Sequence, residues 1–213
     1  MIKAIMFDFD GVIVESANIK TQAFREMFQG YPEHIDSIVN YHIKNMGLSR
    51  YEKFRHIYEK ILCLPLSKEH ETKLGEDFSK MVLNKVLNAP FVPGALEFLS
   101  NYYRCYCFFL VSGTPKHELL KIAKEKNINK FFQEVHGSPP GKSEIVKDIL
   151  GRFKLLSAEV LFVGDAESDY DTAQSNELMF VARKSSETTR DLIEKSNYWI
   201  EDLHDLQTAV LEL

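Results

Sequence analysis

Two pairs of aspartates, Asp8/Asp10 and Asp165/Asp169, each follow a short unbroken apolar run, Ala4-Ile5-Met6-Phe7 and Val160-Leu161-Phe162-Val163. Four carboxylates gathered at one edge of a fold repel one another unless a cation or a proton sits among them. A hard divalent ion with oxygen ligands answers that need, and few protein ligands with retained waters point to Mg²⁺. Complementary groups stand elsewhere in the chain. Ser112-Gly113-Thr114 closes the apolar run Tyr106–Val111, and the loop Gly137-Ser138-Pro139-Pro140-Gly141 delivers Lys142 at the start of a helical pattern. A hydroxyl, glycine-flanked backbone amides and one ammonium opposite a metal-binding acid cluster are what a phosphoryl group requires.

Taken singly, these signals are weak. Asp-x-Asp-Gly and Ser-Gly-Thr are common turn sequences, and a lysine opening a helix is ordinarily solvated. Asp165, Glu167, Asp169 and Asp171 follow the alternate-residue rhythm of a calcium loop, but Tyr170 and Asn176 stand where such a loop needs Gly and Glu. The conjunction is stronger. All four signals fall in order at the ends of apolar runs, and in open α/β sheets ligands collect beyond the carboxyl ends of the strands.

The elements that must position these residues can be read from periodicity. A buried strand is expected over 3–7, and no comparable strand follows for about a hundred residues. The interval is helical in pattern, over 19–28, 35–45, 49–63 and 67–87, with Phe54, Ile57, Tyr58 and Ile61 at helical spacing. From Pro93-Gly94 onward helix and strand alternate: helix 94–102, strand 106–111, helix 115–127, strand 133–136, helix 142–153, strand 159–163, helix 168–176, strand 178–182, then Tyr198-Trp199-Ile200 and a last helix. That rhythm predicts an α/β core with a doubly wound parallel sheet. The domain reading is a core of residues 1–15 and 89–213 with a helical module, 16–88, inserted after the first strand.

Composition bounds the rest. The chain has 213 residues, 45% of them hydrophobic and 27% charged, enough to bury a full core without staples. A net charge of −5 argues against a surface that grips nucleic acid or anionic lipid as a whole. No signal-peptide pattern opens the sequence, and its apolar runs fall far short of the ~20 residues of a membrane span, so a soluble, cytoplasmic protein with no membrane partner is expected. Cys63, Cys105 and Cys107 are read as reduced core residues, the last two on one face of a strand.

Asp8-Phe9-Asp10-Gly11-Val12, Ser112-Gly113-Thr114, Lys142 and Gly164-Asp165 with Asp169 resemble, in order, the four motifs of the haloacid dehalogenase superfamily. The helical insertion resembles the small cap of its phosphoglycolate phosphatase and β-phosphoglucomutase relatives. The resemblance implies a Rossmann-like core and a Mg²⁺-dependent phosphatase acting on a small phosphate ester, a sugar phosphate or similar. Asp8 would be the nucleophile that becomes an aspartyl-phosphate, and Asp10 the acid and base, shielded enough to hold a proton near neutral pH. Mg²⁺ would sit on the Asp8 carboxylate, the Asp10 main-chain carbonyl and Asp165, with Asp169 orienting. Ser112 and Lys142 would hold the phosphoryl oxygens, with Gly113 and Thr114 beside them. Dehalogenases replace the second aspartate, which this chain keeps. Phosphonate-cleaving relatives carry a cap lysine where Met46-Gly47-Leu48-Ser49-Arg50 ends in arginine. Arg50 resembles the mutase arginine that meets a second anionic group, so a phosphomutase is the alternative, although Lys20 stands where mutases usually place histidine and Gly164-Asp165 where they read Glu-Asp. A phospho-receiver or a silent binding protein is the remaining alternative. Lys20, Arg25, His42, Lys44, Arg50, Lys53 and His56 are the cap's cationic or potentially cationic side chains. Nothing in the sequence speaks to oligomeric state.

Overall fold

The computed structural model describes residues 1–196 and 198–213. Six parallel strands, β1 (Ala4–Phe7), β2 (Cys107–Pro115), β3 (Glu134–Ser138), β4 (Val160–Gly164), β5 (Met179–Arg183) and β6 (Tyr198–Ile200), form one sheet in the order β3-β2-β1-β4-β5-β6. β1 reads as continuous apolar sequence because both its faces are covered. Ile5 and Phe7 enter one core, and Ala4 and Met6 the other. The first core takes helices α5 (Ala95–Tyr102), α6 (Lys116–Glu125) and α10 (Leu206–Glu212), and the second takes α7 (Lys142–Phe153), α8 (Glu167–Ser175) and α9 (Arg190–Lys195). The sheet is therefore doubly wound, and the order change at β1 and β4 opens the crevice into which the carboxyl ends of β1, β2 and β4 point.

Between β1 and α5 lie the helices of the insertion: α1 (Ala17–Met27), α2 (Ile35–Lys44), α3 (Arg50–His56) and α4 (Lys68–Asn88). They pack on their own aromatic cluster, in which the Phe24 ring lies 5.8 Å from Phe54 and 4.9 Å from Phe78. The two connections to the sheet domain run side by side, joined by a bridge between Val14 and Phe91 and a 3.0 Å bond from Glu15 N to Pro90 O.

The structure differs from the sequence expectation in four places. β2 does not stop at Val111 but continues through Ser112-Gly113-Thr114 to Pro115, with a register shift against β3 between Val111 and Pro115. The helix expected over 49–63 is α3 followed by a π-helical turn, Ile57–Ile61, in which Leu62 N donates to Ile57 O at 2.8 Å. α9, capped by Thr189 Oγ1 accepting from Leu192 N, was not foreseen. The cysteines are free but not core: Cys63, at φ 53°, and Cys105 lie in exposed turns, and Cys107 opens β2 half-buried. Cys105 precedes the strand, so the two do not share a strand face. Among the described residues, no helix is long and apolar enough to cross a membrane.

Phe7 is the keystone of the first core, edge-on to Phe98, Phe108 and Phe132 at 6.2, 5.2 and 6.3 Å. Phe7→Ala should cost about 3–5 kcal/mol, read as a lowered urea midpoint with an unchanged denaturant slope. A loss under ~1 kcal/mol would mean that the two faces of β1 are not packed as described.

Candidate active site

The β1 ladder runs one residue past the strand, with Asp8 N donating to Val163 O at 2.9 Å. There the chain turns sharply, and Phe9 O accepts from the amides of Val12, Ile13 and Val14. Gly11 makes the turn possible: its φ is +77°, and a Cβ there would stand 2.0 Å from Asp165 Oδ2. The turn divides its two acids. Asp8 faces Asp165 and Asp169, whereas the Asp10 carboxylate accepts from Ser16 Oγ at 2.7 Å, from Thr114 Oγ1 at 3.2 Å and from Lys20 Nζ. Asp165 follows β4 directly. Asp169, one turn into α8, accepts from Ala166 N at 3.2 Å, and Gly164 leaves room for it, since a Cβ there would lie 2.3 Å from Asp169 Cβ.

Ligand oxygens of Asp8, Asp165 and Asp169 lie within 4.8 Å of one another, and all three side chains are buried. Lys142, first residue of α7, is the single ammonium among them, 2.7 Å from Asp8 Oδ1 and 2.5 Å from Asp169 Oδ1. Among the described residues, both oxygens of Asp165 are buried without a hydrogen-bond partner, and Asp8 Oδ1 has only the charge contact with Lys142. Burial pushes Asp8 up to about 7, with Asp169 and Asp10 adding to the rise against Lys142. Burial, then the neighbouring Asp8 and Asp169, holds Asp165 well above the usual carboxylate range. An all-oxygen donor set short of two positive charges, with orphaned oxygens turned inward, fits a hard divalent cation.

Asp10 departs from expectation. Burial alone would raise its pKa, but the Lys20 ammonium and the hydrogen bonds from Lys20, Ser16 and Thr114 outweigh it and hold the carboxyl below its ordinary value. The carboxylate is therefore shielded but ionised. Thr114 is committed to Asp10 and to Lys20, whose Nζ donates to its Oγ1 at 2.6 Å. Ser112 is buried, and its Oγ accepts from Thr114 N at 3.1 Å.

The helical insertion closes over this site. The loop between α2 and α3 sets Gly47 on the core: its amide donates to Ser168 Oγ at 2.9 Å, and a Cβ on it would lie 3.0 Å from Lys142 Nζ. Gly113 meets the same loop, and a Cβ there would stand 2.6 Å from Gly47 O. Arg50 is brought to the site's edge but is taken by a protein carboxylate. Its guanidinium forks onto Glu118 of α6 at 3.0 and 2.8 Å, donates to Ser79 Oγ at 2.6 Å and lies over the Phe78 ring. Glu118, Lys20, Ser168 and Gly47 were not singled out as site residues from sequence. The cavity enclosed above Asp8 and Asp10 has a free volume of about 20 Å³, room for roughly one water, while a cleft of about 290 Å³ opens at the seam beside Ser112 and Lys142.

The family model for haloacid dehalogenase-like hydrolases matches residues 5–183. The chain belongs to that family. Among curated hydrolases, a "phosphorylated carbohydrates phosphatase" of Thermotoga maritima is 25% identical over 181 residues, 81% of each chain. Among solved structures, a predicted phosphoglycolate phosphatase of Haemophilus somnus superposes with a TM-score of 0.76 at 18% identity, covering 98% of each chain. A β-phosphoglucomutase of Clostridium difficile superposes with a TM-score of 0.76 at 19% identity, covering 100% of this chain and 96% of its own. These two likenesses show the fold.

The charge deficit of this hydrolase site has a measurable sign. An acid whose folded pKa is raised keeps its proton in the fold, so its contribution to stability is whole below about pH 4 and is lost as pH rises toward the folded value, about 7 for Asp8. Removing one charge relieves the rest. Metal-free Asp165→Asn should therefore melt above metal-free wild type, by an amount on the order of 1–3 kcal/mol that widens from pH 5 to pH 7. A gap that narrows over that range in thermal melts would contradict the assignment.

Proposed function

We propose that the chain is a Mg²⁺-dependent phosphatase of small phosphorylated metabolites, working through an aspartyl-phosphate on Asp8. The observation that carries this reading is the division of labour among the acids: Asp8 with Lys142, Asp165 and Asp169 on one side of the turn, Asp10 held apart on the other. Asp8, Asp165 and the Asp10 main-chain carbonyl would hold the cation, with Asp169 fixing Lys142 beside them. When bound, the cation offsets the charge of nucleophile and phosphoryl group and orients the ester.

An Asp8 oxygen donates an electron pair to phosphorus as the ester oxygen leaves, taking a proton from Asp10. Lys20 favours ionised Asp10, and an arriving phosphate dianion shifts that balance toward the protonated acid by adding negative charge beside it. In the second step Asp10, ionised again, takes a proton from the water that attacks the acyl phosphate, and inorganic phosphate departs. Lys142 and Ser112 line the cleft where the phosphoryl oxygens would lie. The Thermotoga relative, named a phosphorylated carbohydrates phosphatase, supports a phosphorylated carbohydrate or a similar small substrate. Arg50 is read as a cap-positioning residue, because a second phosphate would have to displace a buried bidentate carboxylate to reach it. That pairing favours hydrolysis of monophosphates over the mutase alternative.

Purified protein should release phosphate from an aryl phosphate and from sugar phosphates with Mg²⁺ and stop in EDTA. Asp8→Asn should form no phosphoryl adduct by mass spectrometry of a quenched reaction. Asp10→Asn should accumulate one from an activated ester while turnover falls roughly 10²–10⁴-fold. Hexose 1-phosphate with a bisphosphate primer should yield free phosphate. Faster formation of the 6-phosphate would establish the mutase instead, and no release from any ester would leave a binding or receiver protein.

A further inference from the structure

Within the enclosed cavity each acid already has its cation. Asp8 is met by Lys142, Asp10 by Lys20, and Glu118, at the cavity's rim, by Arg50. The cavity is also lined by Lys53, on α3, and by His42, on α2. Lys53 is 3% exposed and has no carboxylate partner among the described residues; its Nζ lies 3.1 Å from His42 Nδ1 and donates to Met46 O at 3.1 Å. His42 is 1% exposed and stacked on Phe24 at 4.3 Å, and its Nε2 is buried with no partner among the described residues. A buried amine without a counter-ion and a buried ring nitrogen without an acceptor are both costly, and an apolar pair of the same shape would serve the cap's packing better.

The donor pattern says what would satisfy them. Burial and Lys20 lower the proton affinity of Lys53, and an anion brought into the cavity would raise it; as an ammonium Lys53 has only donors, so His42 Nδ1 then accepts from it and the ring proton sits on Nε2. The pair then offers a charged N–H and a neutral N–H and no acceptor. A hydroxyl would satisfy one of these groups and leave the charge unpaired. A carboxylate, with two oxygens that only accept, would satisfy both and supply the missing anion.

We propose that Lys53 and His42 are a specificity-determining pair that receives a carboxylate on the leaving group, making this chain a phosphatase of small phosphorylated hydroxy or sugar acids. The inference rests on the phosphatase reading above and narrows its substrate class. Lys53 stands on α3 of the insertion, whereas Lys142, which meets Asp8, opens α7 of the core, so the carboxylate Lys53 takes belongs to the leaving group and not to the phosphoryl group.

The test compares 3-phosphoglycerate with glycerol 3-phosphate, which differ only in a carboxylate against a hydroxymethyl group. Wild type should favour the acid in kcat/KM by roughly tenfold or more, and Lys53→Met should bring the ratio to within about threefold of unity. Lys53→Met should also melt no lower than wild type, since a buried unpaired amine is removed. Isothermal titration into Asp8→Asn should give the same preference without turnover. A wild-type ratio near one, or equal losses on both esters in Lys53→Met, would overturn the proposal; the latter would place Lys53 on the phosphoryl group. Mg²⁺-dependent release from an aryl phosphate with no preference for the acid would sink this inference and leave the phosphatase reading standing. No release from any ester would remove both. The wild-type comparison decides even if the variant fails to fold.

Discussion

Three carboxylates and one ammonium are buried together at the carboxyl ends of β1 and β4, and the surrounding structure is arranged around that imbalance. Asp8, Asp165 and Asp169 lie close enough for their charges to raise one another's proton affinity, and Lys142 is shared between two of them while Asp165 has no partner. In water such a cluster would disperse. Here the backbone denies it that freedom: Gly11 and Gly164 give up their side-chain volume to Asp165 and Asp169, and the Phe9 turn pins Asp8 at the end of the ladder. The sheet contributes the rigidity. β1 is buried on both faces and paired on both edges, so the acids cannot relax apart without breaking the centre of the fold.

The cap completes the site by a different physics. Its helices are held together by aromatic packing, and they are held to the core by continuous apolar contact, by close backbone approach and by two ion pairs, Arg50–Glu118 and Lys20–Asp10. Gly47 and Gly113 let the α2–α3 loop touch the end of β2 where any side chain would hold them apart. The Arg50–Glu118 pair spans the same seam, and because it is bidentate and buried, separating its partners leaves two uncompensated charges. Parting insertion from core would break that pair, so its recovery favours the closed arrangement. Water exclusion and assembly of the cavity thus follow from one movement.

Much of this was legible in the residues. The motif acids could be found because each follows an apolar strand, and the helical insertion because its period is 3.6 in a chain otherwise alternating strand and helix. What escaped has a common cause, which is contact between groups far apart in sequence. Glu118 looks like a solvated residue near the start of α6; it is buried because Arg50, Gly75 and Ser79 of the cap close over it. Lys20 looks like a surface lysine of α1, yet it reaches Thr114 and sets the charge state of Asp10. The extension of β2 through Ser112-Gly113-Thr114 comes from pairing with β3, which no local propensity reports. Arg50 was recognisable as special but not as occupied.

The claim on which the rest stands is that the acid cluster, when free of metal, holds protons that a bound cation would displace. Calorimetric titration of Mg²⁺ into the metal-free protein near pH 6.5, repeated in buffers of different ionisation enthalpy, counts the protons that leave as the ion binds. With Asp8 raised to about 7 and Asp165 raised with it, binding should expel close to one proton or more. Mg²⁺ binding with no proton release, or no Mg²⁺ binding at all, would contradict the account.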